Sequence, residues 1–130
     1  MTAKLSLQSS DEASAIAGDW VETHCRQAGL AQTLTFQVIT CVMEAVNNCV
    51  EHAYEDTTGE ISIRLFHNTR WLVVQVCDRG ASLDRQPTQT EPDPLQIDGR
   101  GWFIMKQWMD VAQYRRRHAL NIVTLAKCLE

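Results

Sequence analysis

Three polar side chains recur at helical spacing within the stretch MEAVNNCVEHAY, residues 43–54: Glu44, Asn48 and His52. At about 100° per residue they fall on one stripe of a helix. A carboxylate there can accept a proton, an amide carbonyl can hold a cation, and an imidazole can line a pocket or cap packing. Val42, Ala45, Val46, Cys49, Val50 and Ala53 lie on the opposite side, an apolar face suited to packing on a sheet. Asparagine is a poor helix former, so the pair Asn47 and Asn48 is not there for propensity. A solvated helix face would account for such a stripe alone, and the downstream sequence has to decide.

Downstream, the run WLVVQV leads straight into Cys77-Asp78-Arg79-Gly80, an aspartate at a strand end followed by a glycine that permits a sharp turn. Further on, Gly99-Arg100-Gly101 opens a helical pattern, and glycines before a helix let backbone N–H groups approach a phosphate at the positive end of the helix dipole. Each signal alone is an ordinary turn.

In this order and spacing the three resemble the ATP-binding site of the GHKL superfamily, shared by gyrase, histidine kinases and a family of small serine kinases. EAVNNCVEHAY resembles the N-box, Asp78-Arg79-Gly80 the G1 box and GRGWFIM, residues 99–105, the G2 box. The HAY ending, the hairpin after it and RGWFIMKQWMD are most similar to the anti-sigma factor serine kinases of the RsbW and SpoIIAB type. One departure is Ala81-Ser82-Leu83-Asp84, where many relatives carry a proline-rich turn.

The resemblance implies ATP and Mg2+ as ligands. Magnesium bound to triphosphate takes most of its octahedron from phosphate and water, so one amide carbonyl suffices, and Asn48 is the implied ligand. Glu44 is the implied base, accepting or orienting the proton of the attacking hydroxyl. Asp78 would accept a hydrogen bond from the adenine amino group, and so prefer adenine to guanine, whose matching atom is a carbonyl. Thr124 in the last strand is implied to back Asp78 through a water. Gly80 completes the G1 turn, Gly99 and Gly101 let a loop close over phosphates, and Arg100 adds charge. His52 either shapes the pocket wall or caps packing near the helix end.

These residues need elements to hold them. The 130 residues suit one domain, and 45% hydrophobic with 22% charged residues is the make-up of a globular fold. A net charge of -4 argues against nucleic acid, and the short run Arg115-Arg116-Arg117-His118 reads as a solvated strand end or turn. Cys25, Cys41, Cys49, Cys77 and Cys128 form no CxxC pair and read as reduced, buried side chains. No apolar run approaches a membrane span or a signal segment, and the expected location is the cytoplasm.

Lys4 to Leu7 reads as a short edge strand, and SSDE at 9–12 as a helix start. One helix is expected to about Ala28, ending at Gly29, and a second from about Ala31 to Tyr54. Strands at Glu60–Phe66 and Trp71–Cys77 form a hairpin. The stretch from Asp78 to Arg100, with Pro87, Pro92 and Pro94, reads as a long loop, and its place between the glycine boxes makes it a nucleotide lid over about 79–100. A helix at Trp102–Met109 and strands at Val111–Arg116 and Leu120–Leu129 follow. The fold class is α+β, a two-layer α/β sandwich with a mixed sheet and helices on one face, filling 1–130 as a single domain. Trp20, Trp102 and Trp108 are expected in the core.

A histidine kinase would need a phosphoacceptor helix beyond this domain, so the substrate is expected in trans. The resemblance implies a STAS-domain anti-sigma factor antagonist as that substrate, and a sigma factor or other regulator as a second partner. It also implies a homodimer joined near the first strand. The readings in play are an active serine/threonine kinase, a catalytically silent binding module of the same fold, and a gyrase-like or chaperone-like ATPase fragment. A glutamate beside the metal ligand favours the first, since a pure binder needs no base.

Overall fold

The computed structural model describes residues 1–54, 57–81 and 100–129, with Arg100 described by its backbone alone. Its elements in chain order are β1 (Thr2–Gln8), α1 (Ala13–Gln27), α2 (Gln32–Asn48) continued by a π-helical turn (Cys49–Ala53), β2 (Glu60–His67), β3 (Trp71–Asp78), α3 (Arg100–Trp108), β4 (Val111–Arg117) and β5 (Leu120–Cys128). The strands form one sheet in the order β1-β2-β3-β5-β4. Every neighbouring pair is antiparallel, so the expected mixed sheet is corrected to an antiparallel one. The helices supply the second layer of the expected α+β sandwich.

Period-2 alternation sends one set of side chains toward the helices. Ile61, Ile63 and Leu65 of β2, Leu72, Val74 and Val76 of β3, and Val123 and Leu125 of β5 are buried against Ala17 and Val21 of α1, Val38, Val42 and Val46 of α2, and Met105 of α3. The register places Lys4, Arg64, Gln75, Thr124 and Gln113 in one row across the five strands, on the other face of the sheet. Trp102 is buried, while Trp20 and Trp108 pack partly buried against the core. Cys25, Cys41, Cys49 and Cys77 are buried free thiols and Cys128 is half-buried.

Two turns depart from the sequence reading. Ser9 does not cap α1: its hydroxyl accepts from Gly59 N at 2.9 Å and its own N–H donates to Gly59 O at 2.8 Å, which ties the end of β1 to the approach of β2. Position 12, Glu12, precedes α1 without a side-chain cap. The basic run is a strand end followed by a tight hairpin turn, in which His118 (φ 51) and Ala119 (φ 64) both take the left-handed conformation.

Candidate active site

Asp78 is the last residue of β3 and is only 6% exposed. A carboxylate that deep has to be satisfied, and three donors do so. Its Oδ1 accepts from Gly80 N at 2.9 Å and from Asn121 Nδ2 at 2.8 Å, and its Oδ2 accepts from Cys49 Sγ at 3.1 Å. Burial, reinforced by Asp78 itself, pushes the Cys49 thiol well above its ordinary range, so it serves as a donor and not as a nucleophile.

Gly80 then lies directly on the end of the π turn. A Cβ at Gly80 would meet the Ala53 carbonyl oxygen at 2.3 Å, and Ala81 N donates to that same oxygen at 3.0 Å. Only glycine fits such a backbone contact. Tyr54 fastens the same corner from the other side, accepting from Arg79 N at 2.8 Å and donating to Glu60 O at 2.9 Å.

The expected helix to Tyr54 thus changes character after Asn48. Tyr54 N bonds Cys49 O, five residues back, at 3.0 Å, the signature of a π turn. Glu44 and Asn48 lie before the change and keep the i,i+4 stripe. His52 lies within it, and its side chain is 54% exposed, with the Glu51 carboxylate 4.0 Å away. Among the described residues that exposure argues against a ring that caps packing near the helix end.

Glu44 is partly buried, and burial first, then the nearby Glu51 charge, holds its carboxyl above the usual range. The first turn of α3 stands against it. A Cβ at Gly101 would come within 2.7 Å of Glu44 Oε2, so glycine there lets helix and carboxylate touch. Arg100 begins α3. Gly99 and residues 82–98 of the expected lid lie outside the described residues.

Asn48 is half-buried, and its Nδ2 is buried without a hydrogen-bond partner among the described residues. A half-turn of the amide sets its carbonyl oxygen in the same position. An unpartnered amide one turn from a carboxylate fits a hydrated magnesium carried in by a nucleotide. Among the described residues no group of three or more His, Cys, Asp or Glu side chains could hold a metal, so such an ion would take its other ligands from phosphate and water.

The geometry corrects the expected role of Thr124. It accepts from Gln75 Nε2 at 3.2 Å on the sheet face away from the helices, whereas Asn121, directly across from Asp78, points to the helix side. Asn121 is 1% exposed and occupies the position expected of Thr124. Alternation in β5 could have revealed it, since Asn121, Val123 and Leu125 share a face.

The buried Asp78 at the end of β3, Glu44 and the Asn48 amide on α2 and Gly101 in the first turn of α3 are the set that the resemblance to GHKL proteins implies. Residues 7–127 match the histidine kinase-like ATPase domain family, and the chain belongs to that family. Among curated relatives, a serine/threonine-protein kinase, BtrW, of Bordetella bronchiseptica is 32% identical over 116 residues, covering 82% of this chain and 79% of the relative. An anti-sigma F factor of Caldanaerobacter subterraneus subsp. tengcongensis is 36% identical over 76 residues, 55% of this chain and 53% of its own length. A serine-protein kinase, RsbW, of Oceanobacillus iheyensis is 29% identical over 92 residues, 63% of this chain and 58% of the relative. In the crystal structure of the RsbU and RsbW domains of a Mycobacterium tuberculosis protein, 31% of the chain superposes on 98% of this one with a TM-score of 0.71 at 13% identity, a likeness of fold. Among the described residues no helix is long and apolar enough to cross a membrane.

Proposed function

We propose that the protein is an ATP-dependent serine/threonine kinase of a partner-switching system. Its substrate is a STAS-domain antagonist supplied in trans, and it holds a sigma factor or another regulator as its second partner. The observation that carries this reading is Glu44, a partly buried carboxylate with a raised pKa against Gly101 and one turn from the unpartnered Asn48 amide. A module that only binds has no use for a base there.

Asp78 orients the base of the nucleotide through the 6-amino group. Asn48 would hold the magnesium ion, which when bound neutralises charge on the β- and γ-phosphates. Glu44 accepts the proton of the serine or threonine hydroxyl as its oxygen bonds to the γ-phosphorus and ADP leaves with the bridging electron pair. Burial raises this carboxyl above its usual range, which makes its ionised form a stronger proton acceptor. The five free thiols fit a reducing, cytoplasmic setting.

Incubation with γ-labelled ATP, magnesium and a STAS-domain protein from the same genome tests the reading. Label should pass to a serine or threonine of that protein. Gly101→Ala, whose Cβ displaces the Glu44 carboxylate, should reduce the rate by about 10- to 100-fold while the fold survives. Nucleotide binding without any transfer, on every STAS partner encoded with it, would make the chain a silent binding module instead.

A further inference from the structure

Asn121 sits where β5 crosses the end of β3, opposite Asp78 on one side and Arg116 of β4 on the other. All its hydrogen-bonding capacity is spent inside the protein. Its Nδ2 donates to Asp78 Oδ1 at 2.8 Å, to Ala81 O at 3.0 Å and, more weakly, to Gly80 O at 3.3 Å. Its Oδ1 accepts from Tyr114 OH at 2.6 Å and from Arg116 Nη1 at 2.9 Å. Arg116 is donor-only and the atoms around Nδ2 are all acceptors, so the orientation of the amide is set by its partners.

This arrangement has a consequence for Asp78. Two N–H donors, Gly80 and Asn121, occupy Oδ1, whereas Oδ2 meets only the weak Cys49 thiol donor among the described residues. The carboxylate is thereby fixed in rotation, with Oδ2 the oxygen left with spare acceptor capacity. A carboxylate free to rotate would remain an acceptor, but it would have to be ordered as the base binds, which weakens its bond to an amino group.

We propose that Asn121 is a positioning residue that sets base specificity: it locks the Asp78 carboxylate so that Oδ2 alone reads the 6-amino group of the purine. The same amide holds the carbonyls of Gly80 and Ala81, so the backbone leaving β3 is fixed to the carboxylate that recognises the base. Tyr114 and Arg116 hold the amide in turn, and Arg116 adds a bond to Gly80 O at 3.1 Å. The inference rests on the reading of Asp78 as the adenine acceptor.

The test is calorimetry with magnesium and two ligands, ATP and purine riboside 5′-triphosphate, which lacks the 6-amino group. A hydrogen bond to a charged acceptor is worth about 1.5–3 kcal/mol, so the wild type should prefer ATP by roughly 10- to 150-fold. In Asn121→Ala the preference should fall to about threefold or less through a loss of ATP affinity, with the analogue's affinity held within about threefold. A residue that only stabilises the scaffold would weaken both ligands equally and leave the ratio intact, and that result overturns the proposal. Tyr114→Phe removes one donor from the Asn121 oxygen while leaving Asn121 in place, and it should reduce the preference several-fold. Should Asn121→Ala not fold, an unchanged ratio in Tyr114→Phe would overturn the proposal in its stead. A wild type that binds both ligands equally would remove the adenine reading, and this inference with it.

Discussion

Glu44 shows how partial burial changes the proton affinity of a carboxyl. Its carboxyl is raised by burial and by Glu51, so the folded protein binds that proton more tightly than the unfolded chain does. The ionised form therefore costs stability, a cost absent below the unfolded value near 4.5 and complete once pH exceeds the raised folded pKa. Glu44→Gln cannot ionise. Its melting temperature should exceed that of the wild type at pH 7, and the difference should vanish below about pH 4 in a thermal series. The same variant should bind ATP normally while losing about 10²- to 10⁴-fold in transfer rate, the span of a general base. Near-normal turnover would remove Glu44 as the base. Glu44, Asn48 and Asp78 could be singled out as candidates because their types and spacing suggest chemistry by themselves. Asn121 and the Cys49 thiol were not, because their roles arise from cross-strand register and from a helix packed over a strand end. Thr124 was misread because β5 is apolar on both faces, Ile122 and Ala126 on one and Val123 and Leu125 on the other, so alternation did not declare which face its polar residues share.

The elements themselves were legible within a few residues, since each carried either a 3.6- or a 2-residue period. The π turn was not. Its residues, Cys49–Ala53, continue the apolar pattern of α2, and what widens the helix is tertiary: Cys49 is held by Asp78, and the Ala53 carbonyl by Ala81. Such insertions recur at functional sites because they re-aim one turn without ending the helix. The β4–β5 hairpin is an element-scale compromise of another kind. Its two-residue turn needs left-handed backbone twice, a geometry that asparagine and glycine supply readily, yet His118 and Ala119 provide it. Alanine in that conformation costs about 1–2 kcal/mol relative to its right-handed form. Ala119→Gly should raise unfolding free energy by about 1 kcal/mol, the relief of strain less the added freedom of the unfolded chain. Urea denaturation reads this as a higher midpoint at unchanged slope. A lower midpoint would mean that the turn carries no such strain.

At the scale of the whole molecule, among the described residues, the antiparallel sheet has two edge strands, β1 and β4. They are not equally protected. The end of β4 carries Arg115, Arg116 and Arg117, the kind of charge that discourages another strand from pairing, whereas β1 carries Lys4 alone. The pairing pattern shows which β1 groups are free to bond. Met1 and His67 exchange both backbone bonds, so in the alternating antiparallel ladder Ala3, Leu5 and Leu7 bond inward to β2, and Thr2, Lys4, Ser6 and Gln8 present their N–H and C=O groups outward. A second copy of the chain, related by a two-fold axis, can satisfy those groups by adding its own β1 antiparallel, closing the dimer with one continuous sheet. Light scattering at micromolar concentration should therefore give twice the monomer mass. Ser6→Pro removes an outward N–H without touching the β1–β2 ladder, and proline is tolerated on an edge, so this variant should fold and run as a monomer. A wild type of monomer mass, or a Ser6→Pro protein that stays dimeric, would exclude the β1 edge as the contact. The edge matters to the proposed function because β1 lies two strands from Asp78 on β3 and three from Asn121 on β5, so a dimer joined there would leave each proposed nucleotide site open to its own protein substrate.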